Sequence, residues 1–286
     1  MIFEFCEYCL LLIQLFRVVK KRGGRIHVKI WTRLTLFVAL AVMLTACGSK
    51  ATTEGGADLV KADTFTFSAS GEFKPFSYTN SEGKMEGFDI DVAEAVAKEL
   101  GLKPDQKKFK FAGIVEGVKS GRFDAAVASH TITEDRAKEV DFSTPYYYSG
   151  PQIFVRPDSD VETLDDLKGK EIAVSKGSSY AKEAEAVTDN IPQYDSDVVA
   201  LEALSKGKHD AVITDFVTGK EAISSGMKLD AKELLGRSEQ AIAVSKDNPK
   251  LLKEINAALE KLRDDGTLKK ISEKYFDSDI TTDPSE

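Results

Sequence analysis

One pattern occurs twice in this chain and restricts its fold more than any other feature. Val118-Lys-Ser-Gly121-Arg-Phe-Asp124-Ala-Ala-Val127 is echoed by Leu204-Ser-Lys-Gly207-Lys-His-Asp210-Ala-Val-Ile213, with the two glycines 86 residues apart. Each copy reads as a helix end, a glycine cap and a buried strand. Glycine tolerates the left-handed backbone that closes a helix, and a short apolar run suits a strand covered on both faces. Two copies at domain-sized spacing predict two α/β lobes built alike, each a mostly parallel sheet flanked by helices. Other segments fit this plan. Residues 64–68 alternate like a strand, and residues 171–175 supply a further buried one. Residues 89–100 place Val92, Ala93, Val96, Ala97 and Leu100 on one helical stripe that Gly101 terminates, and residues 251–262 form another amphipathic helix.

A chain with 42% hydrophobic and 30% charged residues is an ordinary globular one, which excludes disorder and collagen. Its formal charge of -8 conceals an asymmetry: residues 1–47 carry seven Lys or Arg against Glu4 and Glu7, so the body beyond is more acidic still. Such a body is a poor partner for nucleic acid. Cys6, Cys9 and Cys47 all lie in the N-terminal stretch, leaving the body without a thiol for a disulfide, a zinc site or nucleophilic chemistry. Cys6-Glu-Tyr-Cys9 has no partner pair and is not read as a metal or redox motif. Lys29 and Arg33 precede an apolar run of 13 residues, 34–46, short for a membrane span and right for a secretory signal. Residues 28–46 are therefore expected to be a signal peptide. The run ends in Leu44-Thr-Ala-Cys47-Gly-Ser49, which resembles the lipobox of bacterial lipoproteins. That resemblance implies that Cys47 is lipidated, with residues 47–63, small, polar and glycine-containing, as a flexible tether. Residues 1–27 add a second apolar stretch before the basic cluster. They are expected to be an untranslated upstream extension, with Val28 marking a GUG start.

A series of motifs then follows in order: Gly71-Glu-Phe73-Lys-Pro75-Phe76, Gly83-Lys-Met-Glu-Gly87-Phe-Asp-Ile-Asp91, Phe111-Ala-Gly-Ile-Val-Glu-Gly, Thr131-Ile-Thr-Glu-Asp-Arg136, Asp141-Phe-Ser-Thr-Pro-Tyr146, Leu164-Asp-Asp-Leu-Lys-Gly, Asp210-Ala-Val-Ile-Thr-Asp215 and Asp265-Gly-Thr-Leu. Singly they are weak. In this order and spacing, residues 64–276 resemble the bacterial extracellular solute-binding proteins of polar amino-acid ABC transporters. The resemblance implies a periplasmic-binding-protein type II-like fold, with residues 64–148 plus 240–286 as one lobe and 153–236 as the other. A two-segment hinge joins the lobes, and they close on ligand held between them. It further implies a monomeric binding protein rather than an enzyme. The partners would be an amino-acid ligand, a transporter permease and its ATPase, with membrane contact through the lipid anchor alone at the extracytoplasmic face, and with no cofactor and no metal.

A free amino acid presents a carboxylate and an ammonium on one carbon, so its site needs a fixed cation and a fixed anion. By resemblance these are Arg136, whose planar fork suits a carboxylate, and Asp215. Ser129, Thr131 and Ser179 match positions that complete the carboxylate shell. Ser178 and Ser179 follow a strand and are expected to open a helix, where free N–H groups favour an anion. Phe73 and Phe111 match an aromatic pair that sandwiches the ligand. His130 stands where relatives commonly carry a small or apolar residue, and either lines the side-chain pocket or is a structural imidazole. Ser70 stands where members that take basic ligands often have an acid. Asp89 and Asp91 read as a helix cap rather than a catalytic pair, and His209 as a residue without chemistry. One alternative is an enzyme resembling the cyclohexadienyl (prephenate or arogenate) dehydratases, with His130 or Glu72 as its acid; another is a ligand sensor for a membrane receptor. Spaced metal ligands are absent from the body, and Ser175-Lys-Gly-Ser-Ser179 lacks Walker spacing. Glutamine, cystine, a basic amino acid or another polar compound all fit.

Overall fold

A computed structural model describes residues 51–283. The expected upstream extension (1–27), signal peptide (28–46) and lipidated Cys47 lie outside the described residues.

Each copy of the repeated pattern folds as the sequence suggests. The helix Phe111–Lys119 ends at Ser120, Gly121 takes φ +71, and the strand Ala125–Thr131 follows. In the second copy the helix Asp197–Ser205 ends at Lys206, Gly207 takes φ +79, and the strand Ala211–Asp215 follows. A side-chain-bearing residue is strained at these angles, which is why the glycine recurs.

The two copies sit in different sheets. The first sheet has six strands, in the order Tyr147–Ser149, Ser238–Ser245, Ala125–Thr131, Thr64–Ala69 and Lys103–Lys108, with Val140–Phe142 also on Ser238–Ser245. Ala125–Thr131, Thr64–Ala69 and Lys103–Lys108 run parallel, whereas Ser238–Ser245 is antiparallel to its neighbours. The second sheet has five strands, in the order Gln193–Tyr194, Ile172–Ser175, Ala211–Asp215, Pro151–Val155 and Asp230–Leu234. The first three are parallel and the last two antiparallel. Both sheets are thus mixed, because each takes in a strand adjoining the crossing between lobes.

Strand alternation divides the second lobe's core into two layers. Ile153, Val155, Ile172, Val174 and Ile213 pack on one face, while Phe154, Ala173 and Val212 meet Leu201, Leu204 and Ala222 on the other. The helix Phe216–Ser224 approaches that second face through Gly219, where a Cβ would stand 1.9 Å from the Phe154 ring. The first lobe is held by one larger cluster, including Phe65, Phe67, Phe76, Phe88, Tyr146, Tyr147, Ile255 and Leu259.

The chain passes between lobes at residue 150 and again at 235–237. These crossings touch: a Cβ on Gly150 would lie 2.1 Å from the Gly236 carbonyl oxygen. Two backbones in contact with no side chain between them make a compact hinge.

Two expectations are corrected. Residues 51–63 are not a free tether. Ala51–Thr52 pairs antiparallel with Asp58–Leu59, the Thr53 hydroxyl accepts from the Ala57 N–H and donates to Glu254, and the Val60 N–H donates to Asp124. The glycines that suggested flexibility serve a tight turn: Gly56 has φ +81, and a Cβ on Gly55 would strike the Glu254 carboxylate at 2.1 Å. Asp89 is not a helix cap either. The helix Phe88–Glu99 is preceded by Gly87 with no side-chain cap, and Asp89 is fully buried.

Candidate ligand-binding cleft

The cleft lies between the two sheets, and the first lobe supplies its cation. The short helix Glu134–Glu139 is capped by Thr133, whose hydroxyl accepts from the Arg136 N–H at 3.2 Å. This places Arg136 on the first turn with its side chain along the cleft. One guanidinium nitrogen donates to the Thr131 carbonyl at 2.9 Å, and the other crosses to the second lobe and donates to the Gly177 carbonyl at 3.0 Å. Burial lowers its pKa to about 10, so it remains a cation at neutral pH. No carboxylate pairs with it among the described residues. A guanidinium has five N–H donors and these two bonds use two, leaving three for a ligand.

Phe111, the first residue of its helix, and Phe73, on the strand Glu72–Phe73, both line the cleft. The Arg136 guanidinium stands 5.7 Å from the Phe111 centroid, within cation–π range. His130 stacks on Phe111 at 4.6 Å and 18°. It is buried, its Nδ1 has no partner, and burial followed by the Arg136 charge holds its pKa well below the usual value. His130 therefore braces an aromatic wall as a neutral ring and does not itself line the cleft.

Ser129 and Thr131 line the cleft, on the strand Ala125–Thr131. Ser129 has φ +56, an uncommon angle for a serine. Its hydroxyl donates to Asp89 at 2.8 Å and its N–H to the Tyr146 hydroxyl at 3.0 Å, while Tyr146 donates to Asp89 at 2.6 Å. Both polar groups expected to face a ligand are thus engaged from beneath, and Asp89 fixes the twisted backbone. Desolvation raises the Asp89 carboxyl to about 7 against the lowering effect of these two hydroxyls.

In the second lobe, Ser178 and Ser179 line the cleft but do not open the helix. Gly177, at φ +81, turns the chain. The helix begins only at Ala181, with Tyr180 as its N-cap, and ends at Glu185 after five residues. Such a short helix contributes little dipole; the Ser178 hydroxyl is occupied by the Tyr180 N–H at 3.2 Å. Asp215 caps the helix Phe216–Ser224 by accepting from the Val217 N–H at 2.8 Å, and accepts from the Tyr180 hydroxyl at 3.2 Å. It is buried, and desolvation pushes it up to about 6. Asp215 does not line the cleft: Tyr180 does, with Asp215 bonded to its hydroxyl.

The structure also brings in residues that sequence reasoning did not assign: Tyr180, Ser175 and Asp197 line the second lobe's wall. Ser70 and Glu72, singled out in the sequence as a specificity position and as the acid of the enzyme alternative, line that of the first. Tyr180 follows the Gly177-Ser-Ser run directly, a position that gave some signal. Asp197 gave none, because an acid in a helix's first turn after a Ser cap is what the helix dipole alone would favour.

Ion pairs join the lobes around the rim. Lys110 meets Asp195 at 2.8 Å, Lys182 meets Asp135 at 2.8 Å, and Lys74 meets Glu221 at 3.3 Å. With the Arg136 bond to Gly177, they describe a closed cleft. Among the described residues no helix is long and apolar enough to cross a membrane.

This architecture has known counterparts. Residues 65–278 match the bacterial extracellular solute-binding proteins, family 3. The chain belongs to this family. It is 36% identical over 264 residues to the probable amino-acid-binding protein YxeM of Bacillus subtilis, covering 89% of this chain and 98% of that one. It is 34% identical to the L-cystine-binding protein TcyJ of Escherichia coli K12, covering 74% of this chain and 82% of that one. Among solved structures, an ancestral arginine-binding protein bound to glutamine superimposes with a TM-score of 0.69 at 37% identity, covering 76% of this chain and 99% of that one. The fold is thus the two-lobed, type II arrangement of solute-binding proteins, and the relatives are binding proteins rather than enzymes. As an extracellular solute-binding protein, this chain captures its solute between the lobes.

Proposed function

We propose that this family 3 protein captures a free polar amino acid and delivers it to an ABC importer, whose permease receives the ligand and whose ATPase supplies the energy. The observation that carries the reading is the Arg136 guanidinium. It lines the cleft, has no carboxylate partner among the described residues, keeps unused donors and already reaches from one lobe to the other. The ligand's carboxylate takes those donors, with Thr131, Ser178 and Ser179 around it. Phe73 and Phe111 flank its side-chain stem and exclude water, which strengthens the buried charge contacts. Its ammonium takes Asp215, with the Tyr180 hydroxyl sharing or yielding that carboxylate. Charge-assisted bonds contribute about 1.5–3 kcal/mol each, so two of them with aromatic burial approach the roughly 8 kcal/mol of micromolar binding.

The protein acts as a monomer. It is exported by the signal in residues 28–46, begins at lipidated Cys47, and is held by that anchor at the extracytoplasmic face of the membrane; residues 1–27 are not translated. Support comes from the lipobox-like sequence at Leu44-Thr-Ala-Cys47.

A thermal-shift panel of free amino acids, with cystine and ornithine included, tests the reading. A ligand at a hundred times its Kd stabilises by about 2.7 kcal/mol, or roughly 5–10 °C for a domain of this size. If no amino acid raises Tm, the reading is wrong.

A further inference from the structure

The carboxylates bordering the cleft do not balance. Glu72 is paired with Lys108 at 3.2 Å and with Lys110 at 3.8 Å, and Asp195 with Lys110 at 2.8 Å. Asp197 also lines the cleft, is nine-tenths buried, and has no cation at ion-pair distance among the described residues. Two hydroxyls and a backbone N–H hold it in place. Ser175 Oγ donates to it at 3.0 Å and Thr214 Oγ1 at 2.6 Å, the latter from the strand that ends in Asp215.

A zwitterion on Arg136 and Asp215 adds no net charge to the cleft, so after it binds Asp197 remains a buried, uncompensated anion. Hydroxyl groups offset part of that cost, but a closed cleft makes an unpaired charge expensive. Burial opposes the charged form of Asp197 and raises its pKa, a penalty that a neighbouring cation would remove. Ser70, on the facing lobe, is neutral and is engaged with the Ser77 hydroxyl and the Glu72 N–H, so the first lobe supplies no equivalent anion there.

Resting on the amino-acid reading above, we infer that Asp197 determines specificity by accepting from a positively charged, N–H-bearing nitrogen at the far end of the ligand. The ligand class is an amino acid with a second cationic nitrogen: a guanidinium, a side-chain ammonium, or the second α-ammonium of a linked pair such as cystine.

Calorimetry with arginine and citrulline separates charge from shape, because the ureido group of citrulline matches the guanidinium in size without its charge. The wild-type protein is expected to bind arginine at least tenfold tighter than citrulline. Asp197→Asn should shrink that ratio below threefold while changing citrulline affinity by less than threefold. Lysine, ornithine and cystine identify which cation is taken; if cystine alone binds, Asp197→Asn should weaken it at least tenfold. Asp197→Ser is the second variant should the first fail to fold, and the wild-type ratio needs no variant. The inference is overturned if citrulline binds wild type within threefold of arginine, if the ratio survives either substitution, or if cystine alone binds and ignores them. Binding of a neutral amino acid that depends on Arg136, with no preference for a cation, defeats this inference and leaves the amino-acid reading intact. No binding in any arm defeats both.

Discussion

Arg136→Ala is the sharpest perturbation of the cleft. In the native protein the side chain bridges the Thr131 and Gly177 carbonyls, lines the cleft and carries a charge that burial has not removed. Truncation leaves the ligand's carboxylate in a closed, aromatic-walled site with only neutral donors. Removing one member of a buried pair costs about 3–5 kcal/mol, which is roughly a hundredfold to a few thousandfold in Kd. The bond to Gly177 adds to this, since its loss removes a link between lobes. Arg136→Lys keeps the charge but cannot serve two carbonyls and a carboxylate with a rigid fork, so it should fall between wild type and alanine. Isothermal titration calorimetry with the best ligand from the thermal-shift panel measures both, and circular dichroism establishes that each variant is folded. A folded alanine variant binding within threefold of wild type would refute the reasoning, because among the described residues no other cation lines the cleft.

Two further outcomes follow from the charges around the site. Asp89 has a folded pKa near 7 against about 3.9 in the unfolded chain, so the folded state holds the extra proton between these values and its stability falls as pH rises from about 4 to 7, then levels off. The contribution is at most about 4 kcal/mol. Urea unfolding at pH 4.5 and 7.5 should show a downward slope in wild type that Asp89→Asn reduces, and equal slopes would remove the role given to Asp89. The rim pairs Lys110–Asp195 and Lys182–Asp135 are exposed and open to screening. Ligand affinity should therefore weaken several-fold between 0.05 and 0.5 M NaCl, and Lys110→Gln with Lys182→Gln should flatten that dependence; an unchanged slope in the double variant contradicts a closing role for these pairs.

Local rules made much of the fold legible. A glycine after an amphipathic helix followed by a short apolar run specifies a cap and a strand wherever it occurs, and so Gly121 and Gly207 marked both lobes. Arg136 and Phe111 were readable because their motifs are long and they sit at helix starts, which fix direction. What escaped depends on distant partners. Asp89 stands where a capping acid belongs, and the Ser129 and Tyr146 hydroxyls, 40 and 57 residues away, hold it inward. Gly55 and Gly56 have the composition of a linker, yet their turn is held by Glu254 and Lys250 on a helix far along the chain. Asp197 joins the site through contacts that no local spacing encodes.

The account rests on one zwitterion held at both poles by the two lobes. Calorimetry with the preferred amino acid, its decarboxylated amine and its deaminated acid tests this directly. Each truncated compound is predicted to bind at least a hundredfold more weakly than the intact ligand, whereas either one binding within threefold would contradict the account.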